Sequence, residues 1–143
     1  MKDDRLRVPI DDPYLYAIGL AVFCFAKLEW NAVWCCEKIQ SDYIPTIAAQ
    51  RKAAGVIAGD LVRLASTHHD PVVRVSLGAG ASDFAALVRR RNDLLHATPG
   101  TARSGHQRMY RKGVEWTIPM IDDLADECVH AGGVLNHHLH QAL

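Results

Sequence analysis

Asp83-Phe84-Ala85-Ala86-Leu87-Val88-Arg89-Arg90-Arg91-Asn92-Asp93-Leu94-Leu95-His96 is the stretch on which the reading of this chain turns. At a helical rotation of about 100° per residue, Phe84, Leu87, Val88, Leu94 and Leu95 fall within roughly 60° of one direction. That predicts an amphipathic helix from Asp83 to about Ala97, with Ser82 as its cap, stopped at Thr98-Pro99-Gly100 because proline cannot continue it. Arg91 sits in the middle of the apolar arc. A guanidinium there must reach the edge of the stripe or hold a charge partner, because burying it alone costs several kcal/mol. Asn92 and His96, four apart, are neighbours beside the stripe, roughly 100° to 140° round from Arg91. The plainest alternative is a structural arginine and a surface histidine favoured by the helix dipole.

Working outward, Asp12-Pro13 supplies an N-cap and a proline at the first helical position, and an apolar pattern runs on to about Gln40 as a long first helix. Leu15, Ile18, Val22, Phe25, Val33 and Cys36 define its stripe, with Glu29 near the centre and Lys27, Asn31 and Lys38 opposite. Glu29 is therefore the candidate ion-pair partner for Arg91. Ser41 to Pro45 is a break. Thr46 caps a second helix to about Ser66, with Ile47, Ala54, Ile57, Leu61 and Leu64 on its apolar face. Thr67-His68-His69-Asp70-Pro71 connects to Val72–Leu77, compatible with strand or helix, and Gly78-Ala79-Gly80 punctuates. Beyond Gly100 some twenty basic residues look irregular, with a short extended piece at Val114–Ile118. A last helix runs from near Pro119 or Asp122 to the C-terminus. The expected architecture is a single all-α domain over 1–143, a bundle of four to five helices with an irregular or extended segment before the last.

The 143 residues, 49% hydrophobic, suffice for one core and are few for two domains. Sixteen basic residues balance sixteen acidic ones, so no overall field draws the chain to polyanions. The apolar run Tyr14–Ala26 is shorter than the roughly 20 residues a bilayer span needs and meets Lys27 and Glu29, so no membrane partner is expected. The charged start Met1-Lys2-Asp3-Asp4-Arg5 is unlike an export signal, and the expected location is cytoplasmic. Cys24, Cys35, Cys36 and Cys128 lack metal or disulfide-framework spacing and read as reduced, buried thiols.

Other motifs carry little chemistry. His137-His138-x-His140 projects in different directions on a helix, and no carboxylate or cysteine completes a metal site, so neither metal nor cofactor is expected. Gly78-Ala79-Gly80 and Gly132-Gly133 lack the strand and helix context of a phosphate loop.

Arg91-Asn92-x-x-x-His96 resembles the R-x4-6-H signature of the HEPN superfamily, including the polar residue that often follows the arginine. Phe25-Ala26-Lys27-Leu28-Glu29 and the Thr98-Pro99-Gly100-Thr101 turn also resemble small bacterial members. The resemblance implies an HEPN-like bundle and a metal-independent endoribonuclease that dimerises so that two motif helices form one composite site. Arg91, Asn92 and His96 would be the catalytic set, Glu29 a support. The products would be a 2′,3′-cyclic phosphate and a 5′-hydroxyl. RNA would be the partner, and the cellular role that of a toxin or defence effector restrained by an antitoxin or inhibitor. Arg89, Arg90, Arg103, Arg108, Arg111 and Lys112 are candidate phosphate contacts. Tyr110 and Trp116 suit packing better than base stacking. Two further readings remain: a non-catalytic HEPN-like module binding a nucleotide or a protein, and a helical dimerisation domain without enzymatic activity.

Overall fold

The computed structural model describes residues 2–143; Met1, the first residue of the charged start, lies outside them. After a single 3-10 turn at Asp4–Arg7 come α1 (Asp12–Ile39), α2 (Tyr43–Ala49), α3 (Ala54–Ala65) and α4 (Pro71–Leu95). Strands β1 (Thr98–Thr101), β2 (Gln107–Arg111) and β3 (Val114–Glu115) follow, and α5 (Ile118–Gln141) ends the chain. The mostly helical reading holds, with two additions: the second helix is split, and part of the irregular segment is a small sheet.

The long first helix starts one residue before the expected position, with Asp11 and not Asp12 as its cap. The Asp11 carboxylate accepts from the Tyr14 N–H, and Pro13 occupies the first turn. Its buried side is rotated from the expectation, however. Tyr14, Ala17, Ala21, Phe25, Leu28, Ala32 and Cys35 are buried, whereas Leu15 and Val22 are exposed. The small alanines let α5 approach closely. Alongside α1, the Cys35 thiol reaches the Leu135 carbonyl and the Asn31 amide donates to the Gly132 carbonyl at 3.1 Å. A β-carbon on Gly132 would lie 3.3 Å from Asn31 Nδ2 and 3.8 Å from the Leu28 Cα, so glycine permits this contact. Residues 31 and 35 match 132 and 135, which makes α1 and α5 parallel.

The expected second helix is broken at Gln50–Ala53, where Arg51 takes a φ of 50°. Thr46 does not cap it; Thr46 lies inside α2, whose first amides are met by the Glu37 carboxylate through Asp42 N and Ile44 N. Lys52 in the break donates to Asp60 at 3.0 Å and lies over the Tyr43 ring, while the Tyr43 hydroxyl donates to Asp60 at 2.8 Å. This polar cluster ties α2 to α3. Burial works to raise the Asp60 pKa, but the Lys52 and Tyr43 hydrogen bonds and the neighbouring cations outweigh it and hold the carboxyl below its usual range.

The motif helix begins eleven residues before Ser82, the expected cap. Asp70 accepts from the Val72 N–H with Pro71 in the first turn, so the segment read as strand-or-helix and the glycine punctuation belong to one helix, α4. Gly80 is kept by packing: a β-carbon there would meet Leu135 Cδ2 at 3.2 Å. Gly80 against Leu135 and Arg90 against Glu127 show α4 and α5 to be antiparallel.

The sheet is antiparallel in the order β1-β2-β3, with Thr98 paired to Tyr110 and Tyr110 to Glu115. Lys112 and Gly113, with φ of 51° and 78°, form the two-residue turn of the second hairpin. Thr98-Pro99-Gly100-Thr101, read as a turn, is the first strand. Gly100 passes under the Tyr110 ring, which a β-carbon would meet at 3.2 Å. Trp116 is core, in line with the packing reading. All four cysteines are free; three are buried, and burial pushes the Cys35 and Cys36 thiols up to about 12. By length and composition alone, α1 and α4 are each apolar enough to cross a membrane, a property the shorter run Tyr14–Ala26 did not show.

Tyr14 locks the sheet to α1. Its hydroxyl donates to the Trp116 carbonyl at 2.7 Å and accepts from the Met109 N–H at 3.0 Å. Tyr14→Phe strands both backbone groups and is expected to lower stability by about 2 kcal/mol. Urea denaturation checks this through a lower midpoint at unchanged slope.

Candidate functional site

The final turns of α4 carry the motif. The helix closes at His96, whose backbone N–H reaches the Asn92 carbonyl at 2.9 Å. Ala97 is buried behind it and the chain turns into β1. His96 is exposed and Asn92 half-buried. Arg89, Asn92 and His96 project within about 60° of one another, so an arginine, an amide and an imidazole share one solvent-facing side. Arg89, read from the sequence only as a flanking phosphate contact, is thus a closer companion of Asn92 and His96 than Arg91 is. Its i, i+3, i+7 spacing was available in the sequence.

Arg91 points another way. Its guanidinium carbon lies 4.3 Å over the Phe25 ring on α1, and its buried Nε has no hydrogen-bond partner. Phe25 in turn packs on Phe84, the rings 6.1 Å apart. The expected ion pair with Glu29 is not formed among the described residues; the ring takes that place as a cation–π contact. The rotated α1 explains this, because Phe25 faces α4 while Glu29 lies on the edge of the buried side. Glu29 still senses Arg91. Burial raises its pKa above the usual carboxylate value, and the Arg91 charge pulls part of the way back.

The other basic candidates separate by engagement. Arg108 is structural: it pairs with Asp11, bonds the Gln107 carbonyl at 2.8 Å and lies 4.3 Å over the Tyr14 ring. A phosphate contact by Arg108 would first have to break that set. Arg90 pairs with Glu127 across to α5. Arg111 Nε lies 3.4 Å from the Asp93 carboxylate, which docks β2 beside the motif. Arg89, Arg103 and Lys112 are exposed and without an ion pair among the described residues. The histidines His137, His138 and His140 do not gather with other ligands into a metal-holding group among the described residues. His138 is buried and its pKa is lowered, first by burial and then by His137.

Two neighbouring clefts exclude the motif. One of about 320 Å³ runs between α1 and α5 past Lys27, Asn31 and Gly132. Another of about 250 Å³ lies between α4 and α5 at Arg90, Glu127 and His130. Neither is lined by Arg91, Asn92 or His96, of which His96 is exposed and the other two half-buried. In comparisons with known proteins, no family model, no curated protein and no solved structure matches this chain.

Glu29 gives a pH test. Because its folded pKa is raised, its contribution to stability is fully present at pH below its unfolded value and is lost as pH rises through the folded one. Glu29→Gln is therefore expected to be at least as stable as wild type at pH 7, with the difference closing as wild-type Glu29 becomes protonated. Thermal unfolding at pH 4 and pH 7 reads this. A variant clearly less stable at pH 7 would mean that attraction to Arg91 outweighs burial.

Proposed function

We propose that the chain is an HEPN-like, metal-independent endoribonuclease whose site is built on the C-terminal turns of α4. The observation that carries this reading is the shared side of α4 on which His96 is exposed and Asn92 half-buried, with Arg91 further round the helix holding an unpartnered Nε. The residue types suit RNA cleavage. The 2′-hydroxyl loses its proton to an imidazole as its oxygen bonds to phosphorus. The bond from phosphorus to the 5′-oxygen breaks, and that oxygen takes a proton from a second acid. The products are a 2′,3′-cyclic phosphate and a 5′-hydroxyl. Imidazole is the side chain best suited to move protons near neutrality, so His96 performs one of the two transfers. Arginine forks stabilise the charge that builds on the non-bridging oxygens, from Arg91 and, on the open face, Arg89. Asn92 orients the phosphate or the imidazole.

The motif of one copy brings one histidine, while the reaction needs a base and an acid. A homodimer in which two α4 ends meet supplies both, with His96 and the partner's His96 in the two roles. Arg103 and Lys112 flank the site as phosphate contacts; Arg90 and Arg111 would first have to leave their carboxylates. A cytoplasmic toxin or defence effector held by an inhibitor protein is the cellular role this reading implies. The non-catalytic binding module is favoured by one observation, the engagement of Arg91 with Phe25, which a purely structural arginine would also make.

Purified protein incubated with mixed RNA in EDTA is expected to leave 2′,3′-cyclic phosphate ends and to spare an all-deoxy substrate. His96→Ala and Arg91→Ala should each lower the rate about 10²-fold or more. Intact RNA, cleavage of the deoxy strand, loss of activity in EDTA or an undiminished His96→Ala rate would each overturn the proposal.

A further inference from the structure

The side of α1 turned away from the bundle carries large apolar residues that the chain leaves partly or largely uncovered, Trp34 at its end bordering the Leu139 and Leu143 side of α5. Tyr16, Leu20, Phe23, Trp30 and Trp34 are 72, 41, 63, 54 and 38% exposed, and Lys27 is the one charge among them. Their spacing of four, three, four, three and four is that of alternating a and d positions in a heptad. The stripe spans roughly 27 Å at 1.5 Å per residue. The four aromatic side chains alone leave on the order of 600 Å² to be covered, against about 800 Å² per partner in a standard specific interface.

We infer that this face pairs with the same face of a second copy, the two α1 helices antiparallel about a two-fold axis near residue 25. The spacing reads the same in both directions, so the stripe is self-complementary. In that register Tyr16 meets the partner's Trp34, and Leu20 meets the partner's Trp30. Phe23 meets the partner's Lys27, so the lone cation in the seam lies against an aromatic ring. One turn beyond the apolar layers, Asp12 meets the partner's Lys38. Both are exposed, and neither forms an ion pair within its own chain among the described residues. Each of these contacts occurs twice by symmetry. A membrane surface suits the stripe less well, because Lys27 interrupts its middle and the flanks lack the basic border that holds amphipathic helices to lipid. The seam lies on the far side of α1 from Phe25 and Arg91, so it is separate from the α4 meeting proposed above and does not rest on it.

Light scattering on the eluting protein at tens of micromolar is expected to give at least twice the 15.8 kDa of one chain. Sedimentation of Arg89→Glu, which puts a like charge on the exposed side of each α4 end and disfavours their meeting, should still show the α1 dimer. Trp30→Glu in that background should be monomeric with an unchanged far-ultraviolet spectrum, since the residue supports no part of the chain's own core. Lys27→Glu should weaken pairing about tenfold, from two lost cation–π contacts and two carboxylates placed on rings. Asp12→Lys should weaken it too, and adding Lys38→Asp should restore it, a rescue peculiar to the antiparallel register. A monomeric wild type, a dimer indifferent to Trp30→Glu, or a failed charge-swap rescue overturns the assignment. So does a monomer that sediments with vesicles of mixed zwitterionic and anionic phospholipid, which would make the face a lipid-binding one.

Discussion

The close parallel packing of α1 on α5 sets the rotation of the longest helix, and most other features follow from it. Ala17, Ala21 and Ala32 on α1 and Gly132 on α5 leave little side chain between the axes. With that side buried, Phe25 turns toward α4 and becomes the surface on which Arg91 lies. Glu29 moves to the edge, where it keeps a Coulombic tie to Arg91 without a direct bond. Tyr16, Phe23 and Trp30 are left facing outward. One helix rotation thus decides the surroundings of the motif arginine and the character of the opposite face.

The ends of the motif are held separately. Asp93 and Arg111 tie the last turns of α4 to β2, and Tyr14 with Arg108 ties that sheet to the start of α1. The sheet is a brace: it spends two of the chain's basic side chains on structure and leaves Asn92 and His96 on the outside. Arg91 and Glu29 share a partly dry edge, where a guanidinium on a ring costs less to bury than a carboxylate does.

Helices with strong ends were legible in the sequence. Because capping oxygens and prolines act locally, Asp12-Pro13 and Pro119 mark the starts of α1 and α5 to within a residue, while the alternative start at Asp122 is four residues late. Asp70-Pro71 is an equally good start signal, but Gly78 and Gly80 masked it; their role is a contact with Leu135, which no local rule reveals. The break between α2 and α3 depends on Lys52 reaching Asp60, and the hairpin on Lys112 adopting a positive φ, both set by tertiary context. The rotation of α1 was hidden for a different reason. The helix is apolar on nearly every side, so hydropathy did not single out the buried face, and only the row of small residues marked it. Asn92 and His96 were legible as neighbours because the helix fixes their spacing, whereas the partner of Arg91 depended on that hidden rotation.

In the function we propose, RNA binds at the Asn92–His96 end of α4. The most direct test is a ¹⁵N NMR titration of the chain with a short RNA methylated at the 2′-oxygen, which binds without being cut. Binding at this end should make the Asn92 side-chain amide, the His96 imidazole and the Arg89 and Arg91 guanidinium signals shift together and saturate. Shifts confined to the cleft beside Lys27 and Asn31, or none at any ratio, would contradict it.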